Sequence, residues 1–415
     1  MSVAAPRRVL VSHPVHQHAY ETAVAASQAG LLECFVTGLY WTGTGLGDPR
    51  CWRWLPSGVA RSIERELRRR HHPRLAPGEV RAIARYHAPA TLLRRSLRGL
   101  PGMRDLDLDR WATKGFDRAV ARMVRRLDQV GLVHTFEGGA SRTLRAARQS
   151  GLRTVLDVPS AHERFVEVGP GGRAGDARGP EVARERELAD LLLAPSDFVV
   201  SSLREAGVPD GKVVKLPYGV DPAAFRPLPE RAEGGPFRAL FVGQIGLRKG
   251  VHHLLEAWRR LGLADAELVL VGRPDRAGRR LLARYEGTCR WVSALPKHEV
   301  NWWFQHSDVF VFPSLAEGSA YVTYEAMSSG LPLVTTPNSG SVARDGLDGY
   351  LVPAGDVDAI CDKLQRLYDD PDRRRAMGAS ARARIQDRYT WSHYHRRLAA
   401  AYRALLAGRP VGVLD

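Results

Sequence analysis

The stretch "DVFVFPSLAEGSAYVTYEAMSSGLPLVTTP", residues 308–337, reads as a strand, a helix and a second strand joined by short loops. "VFVF" is an unbroken apolar run, and Pro313 closes it. Helical spacing begins near Ser319 and continues to Ser329, where Gly330 stops it. "LPLVTT" is apolar again. Short apolar strands with a helix between them predict parallel neighbours buried on both faces. Glu317 and Glu325 are the only charges between residues 316 and 332. Glu317 falls on the loop just before the helix, and Glu325 about a turn and a half inside it. The first amides of a helix have no partner within it, and the dipole there favours an anion. Gly318, Ser319 and Ala320 are small enough to let a phosphate approach the backbone. A diphosphate needs further positive charge. "FVGQIGLRKG" (241–250) supplies it from another strand end, through Arg248 and Lys249.

The same alternation extends in both directions. Upstream run "RRVLVSHPV", "LLECFVTGLY", "GLVHTFEG", "RTVLDVPS", "LLLAPS" and "KVVKLPYG", with helical patterns between them. Residues 221–237, "DPAAFRPLPERAEGGPF", are rich in proline, glycine and charge and read as a linker. The pattern then restarts with "FRALFVGQI", "AELVLVG" and "CRWVSALP". The expectation is two open α/β domains in series, residues 1–220 and 221–390, with ligands at the carboxyl ends of the strands. "GPGGRAGDARGP" (169–180) reads either as a lid or as a plain insertion.

The chain has 415 residues and a formal net charge of +16. No apolar run reaches the length of a membrane-spanning helix. The N-terminus lacks the apolar region and cleavage site of a signal peptide, so the expected location is the cytoplasm. Cys34, Cys51, Cys289 and Cys361 are scattered and suggest neither a zinc site nor a disulfide framework. Only six of the 61 basic residues are lysines, as a GC-rich genome would favour. Residues 61–100 nevertheless carry eleven arginines against three glutamates on helical patterns. Such a cluster fits peripheral attachment to an anionic membrane surface. Few aromatics interleave with these charges, so nucleic acid is not the expected partner.

The segment "EGSAYVTYEAMSSGLPLV" resembles the E-x7-E motif of retaining glycosyltransferases of family 4, which have the GT-B fold. "FVGQIGLRKGVHHLLEAW", "LVLVGRP", "LPKHEVNWWFQHSDVFVFPS", "GLDGYLVPAGD" and "KVVKLPYGVDPAAF" extend the resemblance over roughly residues 205–390. It implies two Rossmann-like domains facing across a cleft: an acceptor-binding domain, 1–220, and a donor-binding domain, 221–390. A C-terminal helix (391–415) crosses back to the first. It implies a hexosyltransferase-type enzyme moving a sugar from a nucleotide-diphosphate sugar to a glycan, lipid-linked or small-molecule acceptor. Glu317 would bind donor-sugar hydroxyls, residues 318–320 the diphosphate, Glu325 the ribose, and Lys249 the departing β-phosphate. No cofactor or metal is expected beyond the nucleotide sugar as co-substrate.

The sequence departs from the family pattern in two places. Gln244 stands where an arginine is usual, and Arg248 is the candidate to compensate. The first loop, "SHPVHQH", has no glycine, and its His13, His16 and His18 are candidates to read the acceptor. His134 and His162, at or just past expected strand ends, are candidates to face the donor sugar. A packed histidine is the competing reading for each. "DLDLD" (105–109) matches a D-x-D metal motif but opens a helix, as do Asp356 and Asp358. Helix capping is the reading for all of them. The alternatives are a nucleotide-sugar epimerase or sugar-phosphate synthase of the same fold, and a non-catalytic nucleic-acid-binding protein.

Overall fold

The computed structural model describes residues 8–15, 18–41, 70–96, 107–165, 179–228 and 235–414, with residues 57, 61 and 68 between. His16, Cys51, Asp105, most of 61–70 and the glycine-rich residues 169–178 lie outside the described residues. The chain forms two compact units. Unit 1 holds residues 1–157, 177–193 and 395–415, and unit 2 holds 158–176 and 194–394.

Unit 1 alternates strands and helices: β1 (Arg8–His13), α1 (Ala19–Gln28), β2 (Leu32–Thr37), β3 (Val80–Ala82), α2 (Ala84–Ser96), α3 (Leu108–Val124), β4 (Val130–Phe136), α4 (Ser141–Gln149), β5 (Arg153–Asp157), α5 (Gly179–Leu188) and β6 (Leu191–Ala194). Its strands lie in the order β3-β2-β1-β4-β5-β6, and the neighbours are parallel. β4 is buried along its whole length. That burial is why "VGLVHTF" shows no polar alternation. Asp107 caps α3, accepting from Arg110 N at 2.9 Å, so at that position "DLDLD" is capping chemistry.

Unit 2 opens with α6 (Asp197–Glu205) and β7 (Val213–Lys215). It continues through β8 (Phe237–Val242), α7 (Val251–Leu261), β9 (Ala266–Val271), α8 (Arg276–Arg284), β10 (Arg290–Val292), α9 (Lys297–Gln305), β11 (Val309–Phe312), α10 (Tyr321–Ser328), β12 (Leu333–Thr335) and β13 (Gly349–Leu351). α11 (Val357–Asp369), α12 (Pro371–Arg388) and α13 (Trp391–Leu406) follow. The parallel sheet has the order β10-β9-β8-β11-β12-β13. Asp356 caps α11 through Ala359 N at 2.9 Å. Asp358 instead pairs with Arg260 at 3.0 Å.

Residues 194–394 lie in unit 2. Residues 221–228 are tied into it, with Phe225 buried and its carbonyl accepting from Ser328 Oγ at 2.7 Å. α13 begins in unit 2, and from His395 onward it is part of unit 1. There His395 Nε2 lies 2.8 Å from Glu21 Oε2. Among the described residues no helix is long and apolar enough to cross a membrane.

Candidate functional site

In unit 2 the strand order reverses between β8 and β11, because β8 has β9 on one side and β11 on the other. In open α/β sheets the loops leaving such a pair of strands bound the place where ligands bind. The β8 loop carries Arg248 and Lys249 on a short helical turn. Gly250 follows in the left-handed conformation, φ 68°. A Cβ there would collide with the carbonyl of Pro313. Glycine thus lets the two loops touch. Leu315 N and Ser314 Oγ both donate to Arg248 O, at 2.9 and 3.2 Å.

That closeness places Glu317 against both cations. Its Oε1 accepts from Arg248 at 2.7 Å, from Lys249 Nζ, and from Ser314 Oγ at 3.3 Å. Oε2 accepts no hydrogen bond among the described residues. Lys249 is mostly buried, with Nζ 5.3 Å from the centre of the Phe312 ring. Burial pushes its pKa down, and the Glu317 carboxylate opposes that shift. Two cations and one carboxylate leave a net positive charge facing the loop.

The 317–320 loop is clasped from the other side. Glu317 N donates to Asn338 O at 2.9 Å and Ala320 N to Ser339 O at 3.0 Å. Ser196 Oγ donates to Gly318 O at 2.5 Å, and Ser319 Oγ to Gly340 O at 2.8 Å. A Cβ on Gly318 would strike the Pro159 carbonyl. Ala320 N is therefore already engaged outside the helix. Gly318 N and Ser319 N have no hydrogen-bond partner among the described residues. They sit before α10, whose N-cap Ala320 offers no side-chain cap.

Glu325 lies within α10, 8% exposed, with Lys297 Nζ 3.4 Å from Oε1. Burial raises its pKa, and Lys297 works against the rise. Gln244 is exposed and makes no side-chain hydrogen bond among the described residues. Arg248 is turned to Glu317 and to Ala316 O.

The histidines fare differently. His134 was expected at a strand end but lies inside β4 with 0% exposure. Its Nδ1 is 2.6 Å from the Tyr402 hydroxyl, and burial pushes its pKa down to about 4. It is a packed core histidine, because β4 runs two residues beyond it. His162 is partly buried in unit 2. Its backbone N–H donates to Ser202 Oγ at 3.0 Å, and its ring lies 3.6 Å from Glu163. In unit 1, His18 Nε2 bonds Asp157 Oδ2 at 2.9 Å, and His13 is buried at the end of β1. Among the described residues no three His, Cys, Asp or Glu side chains group as metal ligands.

Sequence reasoning missed Ser196, Ser314 and the 338–340 clasp. "PNSG" (337–340) is a turn signal, and Ser196 follows an apolar run. Neither signal says which loop is gripped.

Residues 236–370 match the family model described as "Glycosyl transferases group 1". WcaL of Escherichia coli (strain K12), named for colanic acid biosynthesis, is 30% identical over 241 residues, covering 54% of this chain and 59% of that protein. The MMP alpha-(1->4)-mannosyltransferase of Mycolicibacterium hassiacum is 30% identical over 231 residues, covering 54% and 56%. The chain thus spans less than two thirds of these relatives' length. Among solved structures, sucrose-phosphate synthase from Thermosynechococcus elongatus superposes with a TM-score of 0.68 at 17% identity, covering 97% of this chain and all of that one. Anabaena HepE in complex with UDP and glucose gives 0.63 at 13%, covering 96% and 100%. The chain has the GT-B fold, and its residues 236–370 are similar to the glycosyl transferases group 1.

Proposed function

We propose that the chain is a retaining glycosyltransferase that moves a sugar from a nucleotide-diphosphate sugar to an acceptor. One observation carries this reading. Lys249, Arg248 and the open amides of Gly318 and Ser319 converge at the strand-order reversal of unit 2. That is a site for a diphosphate. Relatives named as mannosyltransferases and a structural neighbour titled as a UDP complex support it.

In this reading unit 2 binds the donor and unit 1 the acceptor. Lys249 and the two amides stabilise the charge that develops on the leaving diphosphate. Oε2 of Glu317 accepts from donor-sugar hydroxyls, while Oε1 stays with the cations. Glu325 accepts from the ribose hydroxyls. His162 is the remaining histidine candidate for the donor sugar. The acceptor oxygen bonds to the anomeric carbon on the face the diphosphate leaves. A diphosphate oxygen takes the acceptor proton. Lysine, arginine and backbone dipoles supply the positive potential, so activity should survive exhaustive chelation. Loss of rate restored by magnesium or manganese would contradict that part.

The test is nucleotide release from UDP-glucose, GDP-mannose and ADP-glucose with a panel of acceptors. Transfer with retained configuration supports the reading. Release of a free sugar phosphate or an epimerised nucleotide sugar would replace it. Residues 61–100 add an anionic membrane surface as partner, on sequence grounds. Flotation with phosphatidylserine vesicles should succeed at low salt and fail at high salt. Indifference to these vesicles at low salt would remove that partner.

A further inference from the structure

Helices α3 and α4 of unit 1 pack side by side, and two devices fix them there. Phe116, Val120 and Val124 of α3 share a core cluster with Ala146 and Ala147 of α4. Asp117 of α3 accepts from Arg142 N and Thr143 N at 2.9 Å each. A groove of about 260 Å³ runs between the two helices. The small Ala121 side chain lies buried in it, and every other lining residue is an arginine: Arg118, Arg122 and Arg125 from α3 and its end, Arg142 and Arg145 from α4.

All five arginines are exposed. None has an ion pair among the described residues. Only Arg125 makes a side-chain hydrogen bond, to the neutral Gln149 Oε1 at 3.4 Å. An arginine-rich composition does not account for this. Exposed arginines elsewhere have acidic partners: Arg204 has Asp210 at 2.6 Å, Arg260 has Glu256 at 2.8 Å and Arg366 has Asp362 at 3.0 Å. Arg142 and Arg145 also border a recess that holds Asp117, Glu181 and Glu185, but those carboxylates are committed. Asp117 holds the α4 amides. Glu181 pairs with Arg110 and Lys114 at 3.5 and 3.0 Å, and Glu185 takes the amides of Gly138, Ala140 and Ser141.

Guanidinium groups keep their charge. Arg118 and Arg122, Arg122 and Arg125, and Arg142 and Arg145 stand three or four positions apart, where like charges on a helix repel. Arg142 also lies in the first turn of α4, the end that disfavours a cation, and no acidic residue shares that turn. The cluster is thus unfavourable in the free chain, and an anion between the helices reverses the sign. Arginine forks match phosphate oxygens two at a time. Five charges suit more than one phosphate group. The volume falls below the roughly 300–1,000 Å³ of ordinary ligand pockets, which fits a compact anion without a nucleoside.

We propose that the α3–α4 groove binds a compact anion carrying two or more phosphate groups, free or on a lipid headgroup. The site is separate from the diphosphate site of unit 2 and does not depend on the transfer reading.

Calorimetric titration of sodium tripolyphosphate tests it, on the full chain carrying Lys249→Ala so that the unit 2 site is weakened. Tripolyphosphate should bind at low salt, and more tightly than orthophosphate. Adding Arg122→Gln and Arg145→Gln should weaken it tenfold or more, as loss of two charge-assisted contacts does. Both side chains are exposed, and a melting curve checks the fold. Arg118→Gln with Arg142→Gln is the second pair, with the same expectation. Phenylglyoxal modification read by peptide mass spectrometry locates the anion on the wild-type chain. Tripolyphosphate should protect the five groove arginines more than Arg204 and Arg366. Flotation with phosphatidylcholine–cardiolipin vesicles, whose cardiolipin carries two phosphates, separates the sources. A loss in the variants seen with tripolyphosphate alone assigns a free ligand, and a loss of flotation assigns a lipid headgroup. Variants equal to their parent with both probes, or protection spread evenly over the exposed arginines, would overturn the proposal.

Discussion

The loops after β4 and after β11 occupy equivalent places in their two units, each leading from a central strand into a helix at the strand-order reversal. They treat the helix N-terminus in opposite ways. After β4 the anion is built in. The buried Glu185 carboxylate accepts from Gly138 N, Ala140 N and Ser141 N at 2.7, 2.7 and 3.1 Å. Asp117 takes Arg142 N and Thr143 N at 2.9 Å each. After β11 no side chain among the described residues plays that part. Glu317 turns to Arg248 and Lys249, and the amides of Gly318 and Ser319 stay open. A helix N-terminus attracts negative charge in either case. Unit 1 answers with its own carboxylates, and unit 2 leaves two amides without a partner among the described residues.

The largest effect should come from breaking the unit 2 cluster. Lys249→Ala and Glu317→Ala should each lower kcat/KM by ~10²–10³, as loss of a preorganised group at developing charge does. Steady-state rates of transfer check this, and near-normal turnover in both would remove the assignment. Glu325→Ala should act mainly on KM for the nucleotide sugar, because in the proposed function it binds the ribose.

Next is the built-in anion of unit 1. Glu185→Ala leaves three backbone amides without their acceptor. It should cost ~2–4 kcal/mol of stability, from several unmet buried donors. Urea unfolding measures it. Because the vacated place resembles the one in unit 2, added phosphate should recover part of the loss. A variant as stable as wild type would mean that the carboxylate is incidental.

Acid sharpens the contrast further. His13, His87 and His134 in unit 1 have pKa values pushed down to about 4 by burial. In the unfolded chain they titrate near the ordinary 6.5. Between those values the unfolded chain binds protons that the folded unit refuses, so stability is full above pH 6.5 and falls towards pH 4. Each histidine contributes on the order of 1–3 kcal/mol across that window. Asp117 and Glu185, raised by burial, work the other way. Of the described histidines of unit 2, only His252 is pushed down to about 4. Hydrogen exchange at pH 7 and pH 5 should show unit 1 opening first, and the reverse order would contradict this.

The smallest effect is a gain. Gln244→Arg restores a cation on the β8 loop and should tighten nucleoside-diphosphate binding about threefold to tenfold, one exposed charge-assisted hydrogen bond at most. No change would mean that Arg248 and Lys249 already saturate the phosphates.

Much of this was legible in the sequence because it is local. The strands of 308–337 are short apolar runs. α10 starts within two residues of the expected Ser319. Asp107 and Asp356 cap the helices they precede. What stayed hidden joins distant parts of the chain. Ser196 grips Gly318 across 122 positions, and nothing in either neighbourhood announces it. Gly318 reads as a place for phosphate to approach, and it does leave its amide open. Its missing Cβ also makes room for the Pro159 carbonyl. His134 was misplaced because a histidine in "GLVHTFEGG" looks like the end of a strand. β4 instead continues to Phe136, and the α13 hydroxyl that meets the ring at Nδ1 lies 268 positions away.

The central claim is that Lys249 and the open amides of unit 2 hold a diphosphate. Titration calorimetry of UDP, GDP and ADP, each beside its nucleoside, on wild type and Lys249→Ala tests it most directly. At least one diphosphate should bind the wild type. Lys249→Ala should weaken it tenfold or more, about the worth of a charge-assisted phosphate contact. The matching nucleoside should bind both proteins alike. A diphosphate that binds Lys249→Ala as tightly as wild type would contradict the account.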